Sequence, residues 1–384
     1  MKLSMIGLGK LGLPCATEMA RKHQVRGYDV SFIPTVFPQA ASIADCIKDS
    51  EFIFIAVPTP HETGYGGETP TSHLPVKDFD YTLVKQVLTE IAQHKTPDQQ
   101  VVLISTVLPG TTRRELAPII PDIIYNPYLI AVGTVAADFV DPEMVIIGSD
   151  ANPNVPRLIE LYKSVLVPEA RYETGTWEDA EAIKIFYNTF ASMKLGFANM
   201  IMDVALGIGH MDLANITNAL SNSTKRIMSS KYMTPGLGDG GACHPRDNIA
   251  LRWLSDRLDL GYDMFGEIMR TREVQARRLA ERLCSYELPV VILGKSYKEN
   301  VHNTDGSYGL LVGHYVEKLA GNVNYVDPLN NTDYVAKTAS TFLISYHHDW
   351  ISDYADYPAG SIIVDPWRRN LQIPGCRVVN LGQV

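Results

Sequence analysis

At 384 residues the chain is too long for one ordinary domain and calls for two or three. Hydrophobic residues make up 46% and charged residues 20%, the balance of a globular protein that folds in water. The net charge of −9 comes with no Lys/Arg tract, which argues against nucleic-acid binding, where affinity rests on clustered cations. No apolar run approaches the length of a bilayer-crossing helix, so no membrane contact is expected. The start of the chain runs directly into a strand pattern, which predicts no secretory leader and a cytoplasmic setting. The cysteines Cys15, Cys46, Cys243, Cys284 and Cys376 are scattered and odd in number, as for reduced thiols rather than a disulfide framework.

In chain order, Lys2–Gly7, Val25–Asp29, Phe52–Val57, Val101–Ser105 and Met144–Gly148 read as buried strands. They alternate with helical patterns, which predicts a parallel sheet covered on both faces. Gly7-Leu-Gly-Lys-Leu-Gly12 fits GxGxxG, directly after a strand and opening a helix. Such glycines let a pyrophosphate approach the helix N-terminus, where free N–H groups favour an anion. Asp29 ends the second strand, where a ribose diol is read. No basic residue follows at 30 to 33 to take a 2′-phosphate, so NAD is favoured over NADP. The competing reading is a Gly-rich strand–helix turn without cofactor; strand, helix and Asp29 together speak against it. His61–Lys77 is a long loop rich in Gly, Thr and Pro, read as a surface insertion in preference to a lid.

A long helical pattern without proline runs from Glu178 to about Gly207 and resumes to about Ser221. Its apolar positions exceed one face, which predicts a homodimer interface. Helical patterning returns from Ile249 to Leu283. Between them lies Thr234-Pro-Gly-Leu-Gly-Asp-Gly-Gly-Ala-Cys-His-Pro-Arg-Asp-Asn248. A thiol ending such a loop can be held open to a substrate; the alternative is a Gly-rich loop with an incidental Cys. From Val290 the strand–helix alternation resumes, with strands at Val290–Gly294, Asn324–Asp327, Thr341–Ser345 and Ile362–Asp365 and a helix near Tyr308–Leu319. The predicted fold is α/β: two Rossmann-like parallel-sheet domains joined by a central all-α domain with a long helix. The segments are 1–175, 176–285 and 286–384. His244, His347 and His348 lack the spacing of a metal-ligand set, and no metal is expected.

Four segments narrow the reading: Ala56-Val-Pro-Thr-Pro60, Ile104-Ser-Thr-Val-Leu-Pro-Gly-Thr111, Glu181-Ala-Ile-Lys-Ile-Phe-Tyr-Asn-Thr-Phe190 and Gly240-Gly-Ala-Cys-His-Pro-Arg-Asp247. In this order the chain resembles the UDP-glucose/GDP-mannose (nucleotide-sugar) dehydrogenase family over nearly its whole length. Gly294-Lys-Ser-Tyr-Lys298 and Tyr325-Val-Asp-Pro328 look like that family's nucleotide-binding half. The resemblance implies NAD-dependent oxidation of the C6 alcohol of a UDP-glucose-like sugar to a uronate, through a thiohemiacetal and thioester on Cys243. It makes Cys243 the nucleophile. Lys184 and Asn188, four apart on a helix, become the oxyanion-stabilising pair. Asp247 becomes the carboxylate that works with an ordered water, and Thr106 the hydroxyl that orients it. Asp247 reads equally as a helix N-cap before Asn248, and Thr106 as a strand-end Thr bonded to backbone. Cofactor contacts are implied for Gly7, Gly9, Lys10, Leu11, Gly12, Asp29, Val57, Pro58, Thr59 and Thr106. Substrate contacts are implied for Tyr128, Lys184, Asn188, Arg226, Lys231, Tyr232, Gly236, Gly240 and Lys298, with Arg226 and Arg368 the weaker matches and Lys231 and Lys298 reading alternatively as surface cations.

The chain also departs from the family. Where the family carries Asn-Pro-Glu-Phe-Leu-x-Glu, this chain has Asn126-Pro-Tyr-Leu-Ile-Ala-Val132, so the two glutamates are Tyr128 and Val132. With an ordinary pKa near 10, Tyr128 is a poor base at pH 7, though it can donate a hydrogen bond. The aromatic before Gly-Gly is Asp239, and an arginine position of the last domain is Asp305. These changes open alternatives: an altered substrate, incomplete oxidation, or a non-catalytic protein that binds NAD and a nucleotide sugar. A simple two-electron dehydrogenase of the 6-phosphogluconate or hydroxyacid type is a further reading; those lack the second α/β domain and the cysteine.

Overall fold

The computed structural model describes every residue except Val132, Ala242 and Val384. The chain packs as two compact units, Met1–Leu195 and Gly196–Val384.

The first unit runs β1 (Lys2–Ile6), α1 (Gly12–Ala20), β2 (Gln24–Tyr28), α2 (Ile43–Ile47), β3 (Phe52–Ile55), α3 (Thr82–His94), β4 (Gln100–Leu103), β5 (Ile124–Tyr125), α4 (Val135–Val140), β6 (Val145–Gly148), α5 (Val155–Lys163), β7 (Tyr172–Gly175) and the start of α6 (Trp177–Ile208). The sheet order is β2-β1-β3-β4-β5-β6-β7. Its pairings are parallel except β5 with β6. Alternate side chains of one strand feed opposite cores. Phe52, Phe54 and Val102 pack on one face with Leu158 and Leu161 of α5. Ile53, Ile55 and Val101 pack on the other with Val84 and Leu88 of α3. Burial on both faces is why these strands read as continuous apolar runs. The sequence reading missed β5, which has two residues, and β7, whose residues are half-buried or exposed.

The helix α6 begins in the first unit and ends in the second. Its start is fixed by the Trp177 indole, which donates to the Ile123 carbonyl at 2.9 Å. Glu181, fully buried, accepts from the Thr112 amide at 2.7 Å and the Gly110 amide at 2.5 Å. Among the described residues α6 is the one helix long and apolar enough, by length and composition alone, to cross a membrane. The expectation that no run approaches that length is corrected here. Ser192, Lys194, Asn199 and Asp203 break its C-terminal half into short apolar runs, yet the mean hydropathy there still reaches 1.2.

The second unit contains α7 (Leu213–Ser221), α8 (Cys243–Arg257), α9 (Met264–Cys284), β8 (Val290–Leu293), α10 (Tyr308–Ala320), β9 (Asn324–Asp327), β10 (Thr332–Asp333), β11 (Thr341–Ile344), α11 (Asp349–Asp353), β12 (Ile362–Asp365) and β13 (Arg377–Asn380). The sheet order is β10-β9-β8-β11-β12-β13, parallel except at β9–β10. Ala276, Ala280 and Leu283 of α9 are fully buried in one core with Val290, Ile292 and Val312. The helix preceding the sheet is thereby part of the same packed unit.

Candidate active site

In the first unit, β1 lies between β2 and β3, so the strand order reverses there. Ligands of open α/β sheets sit at such a switch point, beyond the carboxyl ends of the strands. A cleft of about 630 Å³ occupies that place. Every expected cofactor residue except Gly12 lines it, together with Tyr128 and Lys184.

The glycines have separate jobs. Gly7 has φ +94°, and a Cβ there would meet the Ala56 carbonyl oxygen at 2.7 Å. A Cβ on Gly12 would collide with the Gly7 carbonyl oxygen, so Gly12 lets α1 start close against the strand. A Cβ on Gly9 meets nothing within 4 Å. Its need for glycine lies on the open side, where a ligand would be. The first turn of α1 has no side-chain cap and no acidic residue; the Leu13 amide is taken by the Gly9 carbonyl and Pro14 has none, which leaves the Gly12 amide and the positive end of the helix for a pyrophosphate. The Leu8 amide donates to Asp29 Oδ2 at 2.8 Å and the Ser31 amide to Oδ1 at 3.2 Å. Asp29 stays partly open on the cleft, with lone pairs left for a diol. These residues fit a dinucleotide. We predict that Gly9→Ala melts like the wild type yet binds NAD at least about tenfold more weakly, an effect that appears only with ligand present. Calorimetry with and without NAD checks it.

The second sheet repeats the first turn but closes it. Gly294 has φ +91° and its amide donates to the Val326 carbonyl at 2.8 Å, as Gly7 donates to Tyr28 at 2.9 Å. The Lys295 amide donates to Asp327 Oδ2 at 2.7 Å. Here the carboxylate is fully buried and also accepts from the Asn330 amide and side chain. His348 and Ser345 fill the space against Gly294. Asp327 has no face for a ribose, so this turn does not duplicate the cleft of the first unit.

Lys184 sits one turn beyond Glu181 on α6. Its Nζ donates to the Tyr128 carbonyl oxygen at 2.8 Å. It lines both the cleft and an adjoining hollow of about 490 Å³, where it meets Asn188. Burial pushes the Lys184 pKa below its ordinary 10.5. Thr106 lines the cleft, and its carbonyl accepts from the Thr59 hydroxyl at 2.7 Å. Tyr128 lines the cleft too, but its hydroxyl is 2.9 Å from the Tyr162 hydroxyl. Donation from Tyr128 to a substrate is therefore not what this arrangement provides. Val132 lies outside the described residues.

In the second unit Cys243 is exposed and opens α8. The glycines before it do more than loosen the loop: each packs against an aromatic residue of the α/β domain. Gly236 abuts Trp367, Gly238 abuts Tyr308, and a Cβ on Gly240 would stand 2.9 Å from Tyr297 Cβ. Gly241, at φ +91°, faces the Tyr297 ring as well. Arg272 of α9 clamps the loop, donating from Nε to Asp239 Oδ1 at 2.7 Å and from a terminal nitrogen to the Gly306 carbonyl at 3.0 Å. Its guanidinium lies 5.3 Å from the Tyr308 ring centroid.

The reading of Asp247 as an N-cap is corrected, because α8 begins four residues earlier, at Cys243. Asp247 Oδ1 instead accepts from Arg246 Nε at 3.0 Å and a terminal nitrogen at 2.9 Å. Asp247 and then Cys243 hold the exposed Arg246 guanidinium in its charged form. Arg226, Lys231, Tyr232, Gly236 and Lys298 are all exposed. Arg226, Lys231 and Lys298 make no ion pair among the described residues. Arg368 is taken up by carbonyls, those of Pro366 at 2.6 Å, Leu381 at 3.2 Å, and Pro235. Sequence reasoning missed Glu181 and Arg272, which position Lys184 and the Cys243 loop. Glu181 had one signal, a carboxylate three residues before Lys184 on an apolar helix; Arg272 had none within its charged helix.

Residues 37–166 match the UDP-glucose/GDP-mannose dehydrogenase family NAD binding domain, and residues 178–273 match that family's central domain. The chain belongs to the UDP-glucose/GDP-mannose dehydrogenase family. NAD is accordingly its cofactor; of the cleft described above, the part from Ala56 to Ile130 falls within the matched residues. GDP-mannose 6-dehydrogenase of Pseudomonas aeruginosa is 25% identical, covering 95% of this chain and 96% of the relative. UDP-glucose 6-dehydrogenase TuaD of Bacillus subtilis is 23% identical, covering 95% of this chain and 83% of the relative. A crystal structure of a ternary complex of GDP-mannose dehydrogenase from Pseudomonas aeruginosa shares the fold, with a TM-score of 0.84 at 22% identity, covering 98% of this chain and 99% of that one. The predicted α/β class with a long-helix centre holds.

Proposed function

We propose that this family member oxidises the C6 alcohol of a nucleoside-diphosphate hexose to the carboxylate, in two steps linked by a covalent bond to Cys243. Lys184 carries the reading. It is a half-buried lysine aimed along the cofactor cleft and sharing a hollow with Asn188. Bound NAD supplies the hydride acceptor in each oxidation. Gly7, Gly9 and the first turn of α1 would hold its pyrophosphate, and Asp29 its ribose. The Lys184 ammonium and Asn188 amide stabilise negative charge on the substrate oxygen. Cys243 Sγ adds to the aldehyde carbon, and loss of the second hydride leaves a thioester for water to cleave. Asp247 and Thr106 order water near the reacting carbon. Arg226, Lys231 and Lys298 offer cations to the diphosphate, with Tyr232, Gly236 and Gly240 beside them.

The family resemblance implies a UDP-glucose-like sugar. The relatives named for GDP-mannose put that sugar on the same panel. On whichever is turned over, Lys184→Ala is expected to lower NADH formation by about 100-fold or more while NAD still binds. Equal turnover would reject the reading. The pH dependence follows from the sign of the Lys184 shift. The charged ammonium is the active form and burial lowers its pKa, so activity is full below that lowered value and falls as pH rises through it. The alkaline limb therefore lies below 10.5. It disappears in Lys184→Arg, whose guanidinium stays charged.

A second copy of the chain is the proposed partner for α6. Phe186, Met193, Leu195 and Leu206 along it are 65%, 63%, 67% and 77% exposed, a large apolar surface for one helix. Sedimentation at micromolar protein giving a monomer would reject this.

A further inference from the structure

We infer that His244, paired with Asp239, is the general base that frees the acid from Cys243. The inference rests on the reading that Cys243 carries the thioester. Hydrolysis needs an activated water, and the family's two glutamate positions hold Tyr128 and Val132. The Tyr128 hydroxyl is engaged with Tyr162, and burial holds its proton on. Asp247, proposed above to order the water, is paired with Arg246 at 2.9 Å, so the group that takes the proton in hydrolysis is assigned elsewhere.

His244 directly follows Cys243 on α8, and its side chain is 57% exposed. Its Nδ1 lies 3.9 Å from Asp239 Oδ2. The other oxygen of Asp239 accepts from Arg272 Nε at 2.7 Å. Arg272 is only 10% exposed and is itself tied to the Gly306 carbonyl. One carboxylate oxygen is thus fixed from behind by a buried cation, and the other faces the imidazole. At 3.9 Å the two are an ion-pair distance apart; closing to hydrogen-bond distance would put the ring proton on Nδ1 and leave Nε2 as the acceptor, the division of labour in nucleophile–His–carboxylate sites. The remaining charged groups beside the cysteine, Arg246 and Asp247, pair with each other at 2.9 Å. Asp239 also stands where the family has an aromatic. The chain therefore gains a carboxylate beside the cysteine while it lacks two elsewhere.

In the proposed step the oxygen of water bonds to the acyl carbon as His244 Nε2 takes its proton. The tetrahedral adduct collapses, and the C–S bond breaks with its electron pair on Cys243 Sγ. The imidazolium returns the proton to sulfur, and no redox change occurs.

The test uses the full chain with NAD and a UDP- or GDP-hexose that supports wild-type turnover. NADH is followed by stopped flow, and the protein by intact mass. His244→Gln is expected to keep the rapid formation of two NADH per active site. Acid release then slows by about 100-fold, and an acyl adduct accumulates on Cys243. Asp239→Asn is expected to slow release by about tenfold, again with the burst intact. Wild-type release by His244→Gln, or loss of its burst, would overturn the proposal. A wild type that reduces no NAD with any of these sugars overturns the underlying reading, and the proposal with it. The wild-type burst tells the two failures apart.

Discussion

Cys243→Ser is expected to lower acid formation by at least about a thousandfold, because the step that needs a covalent sulfur has no substitute. The first oxidation does not use the sulfur. With the variant, NADH formation should stop near one equivalent per sugar, and an aldehyde or its hydrate should be trapped by a carbonyl reagent. Serine keeps the size of the side chain at an exposed position that opens α8, so the fold is not at stake. Unchanged turnover to the same product would favour a simple two-electron dehydrogenase, which has no need of a cysteine.

Gly12→Ala is expected to abolish NAD binding and to destabilise the first unit by several kcal/mol, about 3 or more. The added Cβ would lie inside the Gly7 carbonyl oxygen, a backbone atom that cannot swing aside. Gly7 cannot retreat either: it sits at φ +94° with the Ala56 carbonyl against it. Thermal melting and NAD titration measure both effects. Its contrast with Gly9→Ala is diagnostic, since the two glycines are three residues apart and only one is packed against protein. Similar melting losses for the two variants would contradict this division of roles.

Much of this architecture was legible in the sequence for a plain reason. Strands buried on both faces, such as Phe52–Ile55 and Val290–Leu293, leave unbroken apolar runs. The dinucleotide turn was legible because its glycines and Asp29 keep fixed spacing. The short strands β5, β10 and β13 were not, since two residues or a polar edge leave no period to read. Around Cys243 the sequence led to a mistaken cause for part of the glycine pattern. Gly236 and Gly238 make room for Trp367 and Tyr308, more than 65 residues away in the chain, which no local pattern announces. For the same reason Asp239 read as a loss near the substrate. Its partner Arg272 comes from a separate helix, and only folding brings the two together. The start of α8 at Cys243 was hidden by Pro245, which a helix accepts in its first turn.

Oxidation by four electrons with Cys243 as the covalent carrier sets a countable demand on NAD. The most direct measurement counts NADH against nucleotide sugar consumed, with mass spectrometry of the product and of the protein quenched during turnover. Two NADH per sugar, a carboxylate product, and an acyl adduct on the peptide containing Cys243 are expected. One NADH per sugar with an aldehyde as the released product, or full turnover with no adduct in either wild type or His244→Gln, would contradict this chemistry.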